Sequence, residues 1–180
     1  MMTRSENLIP GRADSPAELD FSSAEADDFE SLARDRFPVR SMHASDLAAV
    51  AAIDRRLTGA DRFDYLRQRL EEALELSGVR VSLVAEIDGM VAGFAMARVD
   101  LGAYGQFEPT AVIDTIGVDP ASADKGVARA LLSQLMVNLS ALRVERLRTV
   151  VAWDDPVTTG FFAHMGFAPE QRLVLRLALT

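Results

Sequence analysis

Cysteine is absent from this 180-residue sequence, which excludes disulfides and thiolate chemistry. The N-terminus also lacks an apolar signal core, so the expectation is a cytoplasmic chain. Histidine is nearly absent: His43 and His164 stand far apart, and no histidine-based metal site is expected. No apolar run approaches the roughly 20 residues that cross a bilayer. Positive charge is in deficit, with a net charge of −8, so the surface does not attract nucleic acid. Three loop motifs are missing too. There is no G-x-x-x-x-G-K-[ST], no G-x-G-x-x-G after a first strand, and no G-x-S-x-G.

Apolar residues make up 49 % of the chain, enough for one packed domain. The acidity is concentrated at one end. Residues 1–35 carry three arginines and nine acids, with Pro10, Gly11 and Pro16 among them. They read as a flexible acidic tail, closed by a weak amphipathic helix over 23–37, ahead of a domain over 36–180.

The domain reads as alternating strands and helices. Residues 37–42 form a first strand. A helix follows with Ser45 as N-cap and Gly59 as stop, then a second with Phe63, Leu66, Leu70 and Leu74 in register, ending at Gly78. Asp88-Gly89 between two alternating runs predicts a tight hairpin. A glycine-bearing loop over 101–109 leads to a fourth strand, 110–118. A helix from about 124 to 141 carries the stripe Val127, Leu131, Leu135, Leu139. A fifth strand over 147–153, a short helix from Pro156 and a closing strand over 172–179 complete an α/β sheet whose N-terminal half is antiparallel.

Val118-Asp119-Pro120 and then Ala123-Asp124-Lys125-Gly126-Val127-Ala128-Arg129 join the fourth strand to its helix. Unpaired N–H groups and the helix dipole favour an anion there, and Gly126 lets it approach closely. Alone, such a turn is equally an ordinary helix cap.

Val118-x-Pro120, Gly126-Val127-Ala128 and Leu131-Leu132, with Asp155 through Phe162 and Gly166-Phe167 at the matching distance, resemble the GNAT superfamily of acyl-CoA-dependent N-acetyltransferases. The resemblance covers about residues 37–177. It implies a GNAT fold, a mixed sheet with splayed parallel strands four and five, and acetyl-CoA as cosubstrate between them. The diphosphate would rest on Asp124, Lys125, Gly126, Val127, Ala128 and Arg129. The pantetheine arm would pair with Ile116, Gly117 and Val118, with Gly117 or Val118 polarising the acetyl carbonyl. Asp155 and Phe162 would flank the arm. The activity implied is acetyl transfer to a primary amine by direct attack in a ternary complex; the alternative is a non-catalytic module that binds CoA or senses acyl groups. The acceptor would be a small-molecule or peptide amine. Strand five carries Val150 where acetyltransferases of protein N-termini have a Glu, which weakens the peptide case. A homodimer is common in the family.

The sequence departs from the family pattern in three places. Ala123 replaces an Arg or Gln, Asp124 brings a carboxylate near the diphosphate, and Phe162 replaces a proton-donating Tyr. An acceptor ammonium must lose its proton before attack. Simple alternation puts Val112, Asp114 and Ile116 on one face of strand four. Asp114 is then the candidate base, directly or through water, with Arg98 or Arg148 as its competing partner. Tyr104 is a candidate proton donor, Glu86 and Glu108 candidate acceptor-side groups, and Trp153 an expected packing residue at the splay.

Overall fold

The computed structural model describes residues 36–73, 81–100, 109–171 and 177–178. The acidic tail, the end of the second helix near Gly78, Tyr104, Glu108 and most of the closing strand lie outside these residues. Among the described residues, five strands form one sheet in the order β1 (Val39–Ser41), β2 (Leu83–Ile87), β3 (Met90–Asp100), β4 (Thr110–Val118) and β5 (Arg146–Thr149). The first four are antiparallel to their neighbours and β5 runs parallel to β4. The helices are α1 (Leu47–Thr58), α2 (Phe63–Glu71), α3 (Val127–Ala141) and α4 (Pro156–His164).

Local sequence signals account for most boundaries. Asp88 and Gly89 both take positive φ, 52° and 75°, which matches the twist of the β2–β3 hairpin. Gly59 ends α1 in the left-handed region at φ 72°, its N–H bonded to the Arg55 carbonyl. Ser45, the expected cap of α1, is instead inside a 3-10 turn over Ala44–Asp46. The Asp46 carboxylate reaches back to the His43 N–H at 2.8 Å and also holds Arg40, which closes the 3-10 turn; α1 itself starts after Asp46 with no side-chain cap bond. α3 starts at Val127 rather than near 124, because Asp124 and Gly126 both have positive φ and keep the chain out of the helix until then.

The sheet buries both faces. Leu83, Ala85, Ala95, Ala97, Ala111 and Ile113 pack under α3, whose stripe Val127, Leu131, Leu135 and Leu139 is fully inside. The strand residues there are small, which lets α3 lie close. A Cβ at Gly93 would come within 2.8 Å of Val127 Cγ1. On the other face, Val84, Phe94 and Met96 meet Val50 and Ile53 of α1 and Leu66 and Leu70 of α2. Buried Asp54 of α1 is matched by Arg62, which approaches through two nitrogens and so ties the two helices together.

Candidate functional site

β4 and β5 are paired only from Thr110↔Arg146 to Ile113↔Thr149. β4 then runs on to Val118 while β5 has ended, so its far half has no strand on that side among the described residues. The Asp119 N–H donates to the Ala92 carbonyl at 2.8 Å, which marks Asp119 as a bonded position of the β3–β4 ladder. Bonded positions alternate along an antiparallel pair. Thr115 and Gly117 therefore spend their main-chain groups on β3, whereas those of Ile116 and Val118 are directed at the open edge. This corrects the expectation for Gly117, whose amide is turned away. Gly117 has a packing role instead: a Cβ there would meet Phe94 Cε1 and Leu57 Cδ1 at 2.8 Å.

The open edge leads directly to the start of α3. The Ala130 N–H bonds to the Gly126 carbonyl at 3.0 Å, and among the described residues those of Val127 and Ala128 ahead of it have no helical acceptor. Gly126 stands at φ 92°, and a Cβ there would meet nothing closer than Phe37 at 3.9 Å; the requirement is conformational, not spatial. Asp124 is exposed, and among the described residues its carboxylate makes no hydrogen bond or ion pair. Lys125, the only lysine in the sequence, donates to the Ala121 carbonyl at 3.0 Å and so lies along the loop. Asp119 steadies the turn from the strand side. It accepts from the Ala121 N–H at 3.0 Å and pairs with Arg56 of α1.

Asp114 has a position that strict alternation misses. Met96 is opposite Thr115 and Ala97 is opposite Ile113, so Asp114 is the extra residue of a β-bulge. The strand changes phase there. Ala111 and Ile113 face α3 before it, and Ile116 and Val118 face α3 after it. Asp114 and Ile116 are therefore on opposite faces, contrary to the simple alternation. Opposite the bulge, Ser82 clamps Ala97, its hydroxyl accepting from the N–H at 3.2 Å and reaching the carbonyl at 3.3 Å. Asp114 lines a cavity of about 270 Å³ between α2 and the sheet, together with Arg69, Glu72, Met96 and Arg98. Its carboxylate is held by Arg98, whose Nε also donates to Asp100 at 3.1 Å; Asp100 in turn accepts from Arg148 at 3.1 Å. The Asp114 carboxylate, opposed by burial and reinforced by Asp100, raises the Arg98 guanidinium above its ordinary pKa.

The remaining expected residues divide. Asp155 caps α4, accepting from the Thr158 N–H at 2.9 Å; the Thr158 side chain first, and then this N–H, hold its carboxyl below the usual range. Phe162 is 4 % exposed and packs on Phe161 and Phe167 with ring centroids 5.2 and 4.9 Å away. It fixes α4 to the sheet as part of the core under α3. Glu86 is taken by Arg40 at 2.8 Å, at the opposite end of the sheet. Trp153 is fully exposed, because β5 stops at Thr149 and residues 150–155 form a loop into Pro156. His43 and His164 are exposed. Arg56 and Ser82 escaped the sequence reading, since nothing local marks a residue whose partner is more than a dozen positions away.

Residues 47–167 match the model of the acetyltransferase (GNAT) family. The chain belongs to this family. Solved structures of the GNAT fold agree. AAC(6')-Iy, determined in complex with a bisubstrate analogue, CoA-S-monomethyl-acetylneamine, superposes with a TM-score of 0.68 at 18 % identity, over 80 % of this chain and 99 % of that one. The aminoglycoside 6'-N-acetyltransferase AAC(6')-Ih from Acinetobacter baumannii gives 0.67 at 18 % identity, over 80 % and 99 %. A transcriptional regulator from Bacillus halodurans C-125 gives 0.68 at 12 % identity, over 79 % and 99 %. At these identities the likeness is one of fold. Among the described residues of this GNAT domain, no helix is long and apolar enough to cross a membrane.

Proposed function

We propose that this chain transfers an acetyl group from acetyl-CoA to the primary amine of an acceptor held on the α1/α2 face of the sheet. The observation that carries the reading is the open half of β4, with Ile116 and Val118 directed outward and the N-terminus of α3 at its end. The residues fit the cosubstrate in both parts. Val127 and Ala128 supply N–H groups for a diphosphate, Gly126 leaves them accessible, and the Lys125 ammonium is close by. The Ile116 and Val118 main chain offers a strand edge to an amide-bearing arm.

Acetyl-CoA supplies an activated acyl thioester when bound. The chain supplies the rest. The Ile116 N–H lies nearest the bulge and is the donor placed to receive the negative charge that develops on an acyl oxygen. Asp114, two residues upstream, takes the acceptor ammonium through Oδ2 while Arg98 occupies Oδ1, and passes the proton to water. Phe162 has no proton to give and is buried, so the departing thiolate, with an ordinary pKa of about 8.5, is protonated by solvent.

The test is a released-thiol assay over an amine panel, run beside calorimetry with CoA. The Asp114→Asn variant should lose about 10²-fold or more in kcat/KM, while its CoA affinity stays within about twofold of the parent's because the carboxylate is on the opposite face from the cradle. An unchanged rate would remove Asp114 from the mechanism. CoA binding without thiol release on any amine would leave a binding module and not an enzyme.

A further inference from the structure

The cavity at Asp114 has an unexpected charge pattern for an amine site. Its wall carries two arginines, Arg69 of α2 and Arg98 of β3, against two acids, Glu72 and Asp114. The row continues along the sheet as Asp100 and Arg148, so cations and carboxylates alternate and balance. A polycationic acceptor gains nothing from such a wall: each ammonium drawn to Asp114 brings others against a guanidinium. The volume, about 270 Å³, also lies at the lower limit of small-molecule sites.

Resting on the acetyl-transfer reading above, we infer that the acceptor is a small amine that also carries a carboxylate. Its ammonium is taken by Asp114 and its carboxylate by the guanidiniums of Arg98 and Arg69. Arg98 spends Nε on Asp100 and Nη1 on Asp114, and its Nη2 makes no hydrogen bond among the described residues. Arg69 is held by Glu72 at 2.8 Å in a half-exposed pair one helical turn apart, a weak contact that an incoming carboxylate can join or displace. Planar guanidiniums recognise carboxylates in a two-point geometry that an ammonium cannot reproduce. Met96 and Ala97 supply apolar lining and leave room for a short side chain. In the transfer, the amine nitrogen bonds to the acyl carbon as the carbon–sulfur bond breaks. The ammonium gives up two protons, one through Asp114 to water before attack and one to water as the amide forms. The thiolate takes one back from water, so one proton is released overall.

The experiment uses the full chain with saturating acetyl-CoA and thiol readout. Small α-amino acids such as serine and leucine are compared with the amines left when their carboxylates are removed, and with an aminoglycoside as polycation. The expected result is a kcat/KM at least tenfold higher for the carboxylate-bearing member of each pair. The Arg69→Gln variant should cut that preference several-fold through KM and leave the decarboxylated amine within twofold; Glu72→Gln, which frees Arg69, should widen the preference. A better rate with the polycation, equal rates within the pairs, or equal losses on both substrates in Arg69→Gln overturns the inference while acetyl transfer stands. Thiol release with none of the amines overturns both.

Discussion

Alanine at Gly117 and alanine at Gly160 are the same chemical change with opposite expected signs. A Cβ at Gly117 would sit 2.8 Å from Phe94 Cε1, 3.0 Å from Phe94 Cζ and 2.8 Å from Leu57 Cδ1. Favourable carbon contacts begin near 3.5 Å, so the overlap with the Phe94 ring is about 0.7 Å. Leu57 is 47 % exposed and can swing aside, but Phe94 is wholly buried among Val50, Ile53 and Leu66 and has nowhere to go. Overpacking of this kind costs about 1–3 kcal/mol. Restricting the unfolded chain returns about 0.4–1 kcal/mol. Taking the middle of each range, the net loss is about 1.3 kcal/mol, a fall in Tm of roughly 3–5 °C for a chain of this size. Gly160, in the middle of α4, has nothing within 4 Å of its missing Cβ, so alanine there should add up to about 1 kcal/mol. Denaturant unfolding followed by circular dichroism measures both. The Gly117 variant should also lose acetyl-CoA affinity, because β4 must shift to relieve the overlap and its two neighbours present the open edge. A Gly117→Ala protein as stable as the parent would show that β4 is not seated against Phe94 and would refute the assignment of facing residues.

Substitutions at two further positions probe the end of the site and the far side of the sheet. Gly126→Ala should cost about 1–2 kcal/mol from left-handed strain alone, since the space is open, and should weaken CoA binding several-fold by calorimetry; Gly126→Asn, which tolerates that φ, should recover most of it. Asp46 is held below the ordinary carboxylate range, first by Arg40, against burial, and then by the His43 N–H. A depressed folded-state pKa contributes stability above the unfolded value of about 3.9, and this is lost as pH falls through the folded one. Asp46→Asn should therefore lower stability at neutral pH by about 1–3 kcal/mol, with the gap to the parent closing below about pH 4 in acid titrations of unfolding; a constant gap would remove Asp46 from the acid response.

Much of the frame could be read from residues alone, because it rests on local physics. The four-residue stripe of α3, the Asp88-Gly89 turn, the stop at Gly59 and the Asp155 cap each need only neighbours in sequence. The site was less legible because it depends on pairing. Thr110 to Val118 carries apolar residues on both faces, so nothing in its pattern shows the change of phase at Asp114. The same holds for Gly117, whose resemblance-based role at the thioester gave way once the β3–β4 register fixed which amides look outward. Trp153 was expected to end the fifth strand and pack in or beside the splay, yet β5 stops at Thr149 and Pro156 starts a helix, so the residues between are left as a loop. Asp124, an awkward residue near a diphosphate, is intelligible at φ 58°, because aspartate tolerates the left-handed turn that precedes Gly126 and its carboxylate stays in water.

The bulge also explains how one strand can serve two ligands. Without it, alternation would put Asp114 and Ile116 on the same face, and an acceptor held by one would lie across the main-chain groups of the other. The extra residue turns Asp114 and Thr115 both toward α1 and α2, while Ile116 and Val118 pack toward α3 and keep their N–H and carbonyl groups in the plane of the sheet, at the open edge. In the proposed reaction, an amine beside Asp114 would reach an acyl group at Ile116 from one side of the sheet, and the rest of the cosubstrate would extend along β4 toward α3. Ser82 becomes part of this arrangement, since its hydroxyl holds Ala97, the residue whose pairing the bulge disturbs. In the proposed function, the separation of acceptor from cofactor thus depends on a single inserted residue and the hydroxyl clamped opposite it.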